Sequence, residues 1–118
     1  MPTSTATLVL PSPAPGVERT LRVHRYGVPG ARPKAYFQAA LHADEIPGLL
    51  VAQHLLRGLE QAQREGRLVG EVVVVPVANP VGLSQHLNGR LLGRFDGEAT
   101  GNFNRGFPDL TPAALERL

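Results

Sequence analysis

The chain has 118 residues, 42% hydrophobic and 19% charged, which argues against disorder and sets one soluble domain large enough for a real core. It contains no cysteine, so disulfides, thiolate metal sites and a cysteine nucleophile are excluded, and any metal must be held by His, Asp or Glu. The net charge is only +2, and Lys34 is the only lysine among 12 basic residues, the arginines being scattered among acids; nucleic-acid binding is not expected. No apolar run approaches the roughly 18 residues of a membrane span, and no basic segment followed by an apolar one opens the chain, so a cytoplasmic location without membrane contact is expected.

Residues 5–10 form a short β-prone segment, ended by the loop Pro11-Ser12-Pro13-Ala14-Pro15-Gly16. Residues 17–26 alternate, with Val17, Leu21 and Val23 opposite Glu18, Thr20, Arg22 and His24. That is the pattern of a half-buried strand near a sheet edge, with His24 on its solvated face. A Gly/Pro turn over 27–33 leads to the apolar run Ala35-Tyr36-Phe37-Gln38-Ala39-Ala40-Leu41, read as a buried strand over 34–41.

His42 follows that strand, and Glu45 stands three residues later, where Pro47 signals a helix start. From 45 to about 64 the pattern is helical: Ile46, Leu49, Leu50, Ala52, Leu55, Leu56 and Leu59 make an apolar stripe, and Gly66 supplies the stop. Residues 71–77 carry the continuous run Val72-Val73-Val74-Val75, typical of a strand covered on both faces. Strand, helix and strand predict a βαβ unit with two parallel strands. Residues 79–108 show no helix or strand period, and a loop of that length in a compact domain is most often functional or disordered. It leaves the same end of the sheet as His42, which places it over that residue. Thr111-Pro112 reads as an N-cap and first helical residue, with Ala114, Leu115 and Leu118 at helical spacing. A chain ending as a helix gets under way, with only two parallel strands, is expected to be the N-terminal part of a larger fold.

Imidazole and carboxylate three residues apart at the end of a strand can converge on one cation, and zinc accepts both ligand types. Taken alone, the pair reads sooner as a partly exposed histidine and a helix-start carboxylate stabilised by the helix dipole. Arg94 alone reads as a surface arginine paired with Asp96, Asn104-Arg105 as a turn amide and a solvated charge, and Asn79-Pro80 as an ordinary turn start that shapes the loop. Asp44 reads as helix-start charge. His54 lies nine residues beyond Glu45, on the far side of the helix.

Four motifs in order change that reading. Leu41-His42-Ala43-Asp44-Glu45 is followed, after the helix and the valine-rich strand, by Pro76-Val77-Ala78-Asn79-Pro80-Val81-Gly82, then Arg94-Phe95, then Asn102-Phe103-Asn104-Arg105-Gly106-Phe107-Pro108. Over 34–108 this resembles the succinylglutamate desuccinylase/aspartoacylase family, a branch of the zinc carboxypeptidase superfamily. The resemblance implies an α/β fold with a zinc-carboxypeptidase-like mixed sheet, of which residues 1–118 are the N-terminal part of a single zinc-hydrolase domain. It implies that His42 and Glu45 are the first two ligands of a Zn2+ ion and that Arg94 polarises the scissile carbonyl, with Arg90 a weaker stand-in. It also implies that Asn104 and Arg105 grip the free carboxylate of a small-molecule substrate. Asn102 stands where many relatives have Asp and is expected to matter little.

The family holds zinc with a second His and uses a separate Glu as general base; neither has a match in this chain, and His86 has no family support as a substitute. The implied reaction is hydrolysis of the amide of an N-acyl amino acid, with the 118 residues alone inactive. A peptidase of the carboxypeptidase kind and a carboxylate-binding module without turnover are the alternatives.

Overall fold

The computed structural model describes residues 2–97 and 101–116; Leu118, read above as part of the closing helix, lies outside the described residues. Four strands form one mixed sheet in the order β1-β2-β4-β3: β1 (Ser4–Leu10), β2 (Arg19–Gly27), β4 (Glu71–Val75) and β3 (Lys34–Gln38). β1 and β4 each run antiparallel to β2, while β3 and β4 are parallel and joined through α1 (Ile46–Arg64). The expected α/β architecture with a βαβ unit in a mixed sheet is therefore the one observed.

Two expectations about the strands are corrected. β2 lies one strand in from the edge strand β1, which pairs with it over residues 19–25, in keeping with a place near a sheet edge. The first correction is that, toward the C-terminal end of β2, the face carrying His24 is the more buried one. Tyr26 is 1% exposed in the cluster with Val74 of β4 and Leu59 of α1, backed by Leu55, Leu56, Leu68 and Val72. His24 lies two residues before Tyr26 on the same face, pairs in register with Val74, and is half-buried instead of solvated. Burial, and then the Arg22 charge, push its pKa down, against the opposite pull of Glu60. At this end of the strand the helix covers the face that polarity alone assigns to water.

The second correction concerns β3, which is an edge strand with Tyr36 57% and Phe37 46% exposed, not a buried one. An apolar run looks the same in sequence whether or not a further element covers it. The β4 run behaves as expected: Val73, Val74 and Val75 are all buried, in a strand with neighbours on both sides.

α1 ends as the sequence indicates. Arg67 N–H donates to the Ala62 carbonyl at 2.9 Å across Gly66, the closing bond of a Schellman motif. At the opposite end of the sheet from His42, Glu71 is 2% exposed and binds Arg25 Nη1 and Lys34 Nζ, each at 2.8 Å. It also accepts the Gly30 N–H at 3.1 Å. One carboxylate thus fastens β2, β3, β4 and the 27–33 turn. The Lys34 hydrogen bond, followed by those of Gly30 and Arg25, lowers its pKa to about 2.

The 79–108 stretch is not structureless. It holds the short α2 (Pro80–Leu83) and a hairpin of β5 (His86–Leu87) and β6 (Arg90–Leu91). Asn88 and Gly89, at φ 49° and 76°, form the two-residue turn that Asn-Gly favours in hairpins. α3 (Thr111–Leu115) follows. Asp109 Oδ1 accepts the Thr111 N–H at 2.9 Å, so Thr111 stands inside the helix and Asp109 supplies the acceptor expected of Thr111. Among the described residues, no helix is long and apolar enough to cross a membrane.

Candidate functional site

β3 stops at Gln38, three residues short of the expected end at Leu41. The reason is local. Ala39 still bonds the Val75 carbonyl, but Ala40 adopts a left-handed conformation (φ 55°), which costs a non-glycine residue about 1–2 kcal/mol. That turn lifts the chain out of the sheet at its C-terminal edge and directs His42 inward, where it is 4% exposed.

Glu45 N–H returns to the His42 carbonyl at 3.1 Å, closing the turn that opens α1. The turn brings His42 Nδ1 to 3.1 Å from Glu45 Oε1. Two contacts outside the turn fix its place. Ala43 N–H donates to the Gly93 carbonyl at 2.9 Å, and a Cβ on Gly93 would stand 2.5 Å from the Asp44 nitrogen. Only glycine admits that approach without displacement.

Close packing at Gly93 delivers the next residue. Arg94 Nη2 donates to Glu45 Oε1 at 2.9 Å, and its Nε stands 3.5 Å from Asp44 Oδ2. The surface pairing with Asp96 considered from sequence gives way to these two carboxylates. Glu45 Oε1 is therefore shared by an imidazole nitrogen and a guanidinium. Asp44, read as helix-start charge, holds Arg94 with one oxygen, while Oδ1 is buried with no hydrogen-bond partner among the described residues.

The far end of the loop closes over the same histidine. Asn102 Oδ1 lies 2.7 Å from His42 Nε2 and accepts the Asn104 N–H at 2.8 Å. The segment is tied to the arginine by Phe103 N–H donating to the Arg94 carbonyl at 3.1 Å. Asn104 lines a groove of about 700 Å3 together with His42, Glu45, Leu41, Phe37 and Val51. Arg105 does not reach it: the residue is exposed and Nη1 donates to the Asn104 carbonyl at 2.6 Å. His54 and His86 are exposed, on α1 and β5, and Arg90 is exposed on β6.

Sequence reasoning undervalued Asn79. It is 5% exposed; Oδ1 accepts the Gly82 N–H at 2.8 Å and Nδ2 donates to the Leu41 carbonyl at 2.9 Å. Asn-Pro a few residues beyond the end of a buried valine strand was the available signal.

The donors suit a divalent cation as far as they go. A lone pair on Nδ1 and a carboxylate oxygen 3.1 Å apart repel unless a proton or cation lies between them. Two ligands on one tetrahedral zinc stand roughly 3.4 Å apart, close to that separation. Among the described residues no group of three or more His, Asp or Glu side chains is gathered for a metal.

A strand-end imidazole and carboxylate, an arginine beside them and an apolar groove alongside thus gather at the edge of a mixed sheet in an α/β fold. The family model of the succinylglutamate desuccinylase/aspartoacylase catalytic domain matches residues 31–114. The chain is similar in structure to a succinylglutamate desuccinylase/aspartoacylase family protein from Shewanella amazonensis, with TM-score 0.77 and 34% identity over 91% of this chain and 28% of that one. It is similar also to a protein from Shewanella frigidimarina described as a succinylglutamate desuccinylase/aspartoacylase, with TM-score 0.69 and 26% identity over 92% of this chain and 28% of that one. The chain belongs to the succinylglutamate desuccinylase/aspartoacylase family, a family of deacylases.

It spans 28% of the length of each of these relatives. A stretch of 75 residues is also 36% identical to the acetolactate synthase of Bacillus subtilis, covering 64% of this chain and 13% of that protein. The family model and two concordant folds, each spanning more of the chain, decide the assignment.

Proposed function

We propose that this chain carries the first part of the active site of a zinc-dependent deacylase that hydrolyses the amide bond of N-acyl amino acids. The observation that supports it most is the meeting of His42 Nδ1, Glu45 Oε1 and Arg94 Nη2 at one point beyond the end of β3. His42 and Glu45 would hold the zinc. Bound there, the metal supplies a Lewis acid for the scissile carbonyl and lowers the pKa of a bound water.

The chain's own side chains do the remaining work assigned to them. The Arg94 guanidinium donates to the oxygen of the scissile carbonyl as negative charge develops on it, a term that commonly dominates acyl-transfer catalysis. The Asn104 amide, already on the groove wall, hydrogen-bonds the substrate's free carboxylate. Arg105 turns from the Asn104 carbonyl to add the two parallel hydrogen bonds that a guanidinium offers a carboxylate. The apolar groove beside His42 accommodates the rest of a small substrate.

Catalytic zinc sites ordinarily have three protein ligands, and proton transfer needs a general base. The chain matches two of the ligands and not the base, so we propose that the 118 residues by themselves do not turn over substrate. The test is hydrolysis of N-succinyl and N-acetyl amino acids by the purified chain with added zinc. The expected rate equals that of zinc in buffer. Turnover that His42→Ala abolishes would overturn the proposed inactivity and leave the deacylase assignment standing.

A further inference from the structure

We propose that a second cavity, beside Arg94, receives the acyl group of the substrate and takes an uncharged, apolar acyl group in preference to one ending in a second carboxylate. The cavity measures about 320 Å3 and is lined by Asp44, Leu91, Leu92, Arg94, Phe95 and Gly97. It shares none of these residues with the larger groove that carries His42, Glu45 and Asn104. The inference rests on the deacylase reading, in which Arg94 holds the scissile carbonyl and Asn104 the free carboxylate. The amine side of the amide leads to that carboxylate, and so to the groove. The acyl side leaves the carbonyl in the other direction, and Arg94 lines the second cavity.

One side chain holds the backbone around this cavity. With its amide turned so that N–H groups meet carbonyls, Gln85 donates to the Phe95 carbonyl at 2.7 Å and the Leu92 carbonyl at 3.2 Å. Its oxygen accepts the Gly97 N–H at 2.9 Å. Leu92 N–H donates in turn to the Gln85 carbonyl at 2.8 Å. Leu92 and Phe95 are nonetheless 41% and 52% exposed. A braced backbone that presents large apolar side chains to an open cavity binds apolar groups without first having to be ordered.

The selectivity follows from charge. Among the described residues Arg94 is the only cation on the wall, and it is held by Glu45 Oε1 and Asp44 Oδ2. The other charge on the wall is the Asp44 carboxylate, whose Oδ1 has no hydrogen-bond partner among the described residues. A second carboxylate entering here meets no free counter-charge, and leucine and phenylalanine side chains replace none of its hydration. Methylenes gain instead, each one buried tightening binding about fourfold. The volume is roughly ten times a water molecule's share of the liquid, far more than the methyl of an acetyl group fills.

The test is an NMR titration of the 118-residue chain, with zinc present, by N-acetylglycine, N-succinylglycine, N-(4-methylpentanoyl)glycine and 4-methylpentanamide. The third probe matches the second in shape, with two methyl groups where the carboxylate oxygens stand. It is expected to bind about tenfold more tightly or better than either the second or the first, with its shifts centred on Leu91, Leu92 and Phe95. Leu92→Ala and Phe95→Ala are each expected to narrow that gap. N-succinylglycine binding as tightly as its methyl counterpart overturns the inference on wild type alone and leaves the deacylase reading standing. Shifts from the longer chain at Phe37 and Val51 of the groove, in place of Leu91, Leu92 and Phe95, overturn it as well, as does no response to any probe. The amide binding as tightly as its glycine conjugate, with Asn104 and Arg105 unmoved, supports the apolar site and counts against the deacylase reading.

Discussion

Asn79 Nδ2 reaches across 38 residues of sequence to the carbonyl of Leu41, 2.9 Å away, and so anchors the peptide immediately before His42. Its other side-chain atom caps α2 through the Gly82 N–H. The two bonds differ in polarity, which makes them separable. Asn79→Asp keeps the acceptor for Gly82 but loses the donor to Leu41, setting a carboxylate against a carbonyl. A buried group left unsatisfied costs about 1–3 kcal/mol. Asn79→Asp is expected to destabilise the fold at least as much as Asn79→Ala, read as a lower urea midpoint with unchanged slope. A midpoint equal to wild type would show that only the cap matters.

Gly93 sets how closely the arginine segment approaches the histidine turn. A Cβ there would meet Asp44 N at 2.5 Å and the Ala43 carbonyl carbon at 2.7 Å, backbone that cannot yield without moving the site. Gly93→Ala is expected to cost about 1–3 kcal/mol by overpacking. It should also separate Arg94 from Glu45, seen as changed Arg94 side-chain resonances. Wild-type stability and spectra in this variant would contradict the packing described.

Glu71 gives the fold an acid-sensitive clip. Its pKa is lowered in the folded state from 4.5 to about 2, first by Lys34, so the unfolded chain binds the extra proton in that interval. Its contribution is therefore fully present above the unfolded value and declines as pH falls toward about 2. Glu71→Gln is expected to be less stable than wild type at neutral pH and to have a flatter stability profile between pH 4.5 and about 2, measured by urea unfolding at each pH. Parallel profiles for the two proteins would assign the acid sensitivity elsewhere.

Arg94 brings a fixed positive charge to the carboxylate that would ligate zinc. A cation at Glu45 must compete with it. Arg94→Ala is expected to bind zinc on the order of fivefold more tightly, the ~1 kcal/mol that a half-exposed ion pair supplies. Chelator competition on the two proteins measures it, and weaker binding by Arg94→Ala would mean that the arginine holds Glu45 in place instead of opposing the metal.

The βαβ core was legible because each of its signals is local: Pro47 at the start of α1, Gly66 at its end, and the unbroken valines of β4. The face of β2 was not, because Tyr26 and His24 are polar enough to pass for solvent-facing while α1 covers them. Nor was the exposure of Tyr36 and Phe37, since covering depends on what lies beside an edge strand. The Asn88-Gly89 hairpin signal was present in the sequence but masked by the surrounding lack of periodicity. At the candidate site, His42, Glu45, Arg94 and Asn104 were marked out by motif order. The residues that hold them, Asn79, Gly93 and Asn102, stood out less because their role lies in contacts distant in sequence.

The most direct test of the account is a zinc titration of the isotopically labelled 118-residue chain, followed through its four histidine rings. The account predicts that His42 responds first, that Glu45→Gln weakens the response and that His42→Ala removes it. A response led by His24, His54 or His86, or one that persists undiminished in His42→Ala, would contradict the assignment of this strand end as a metal site.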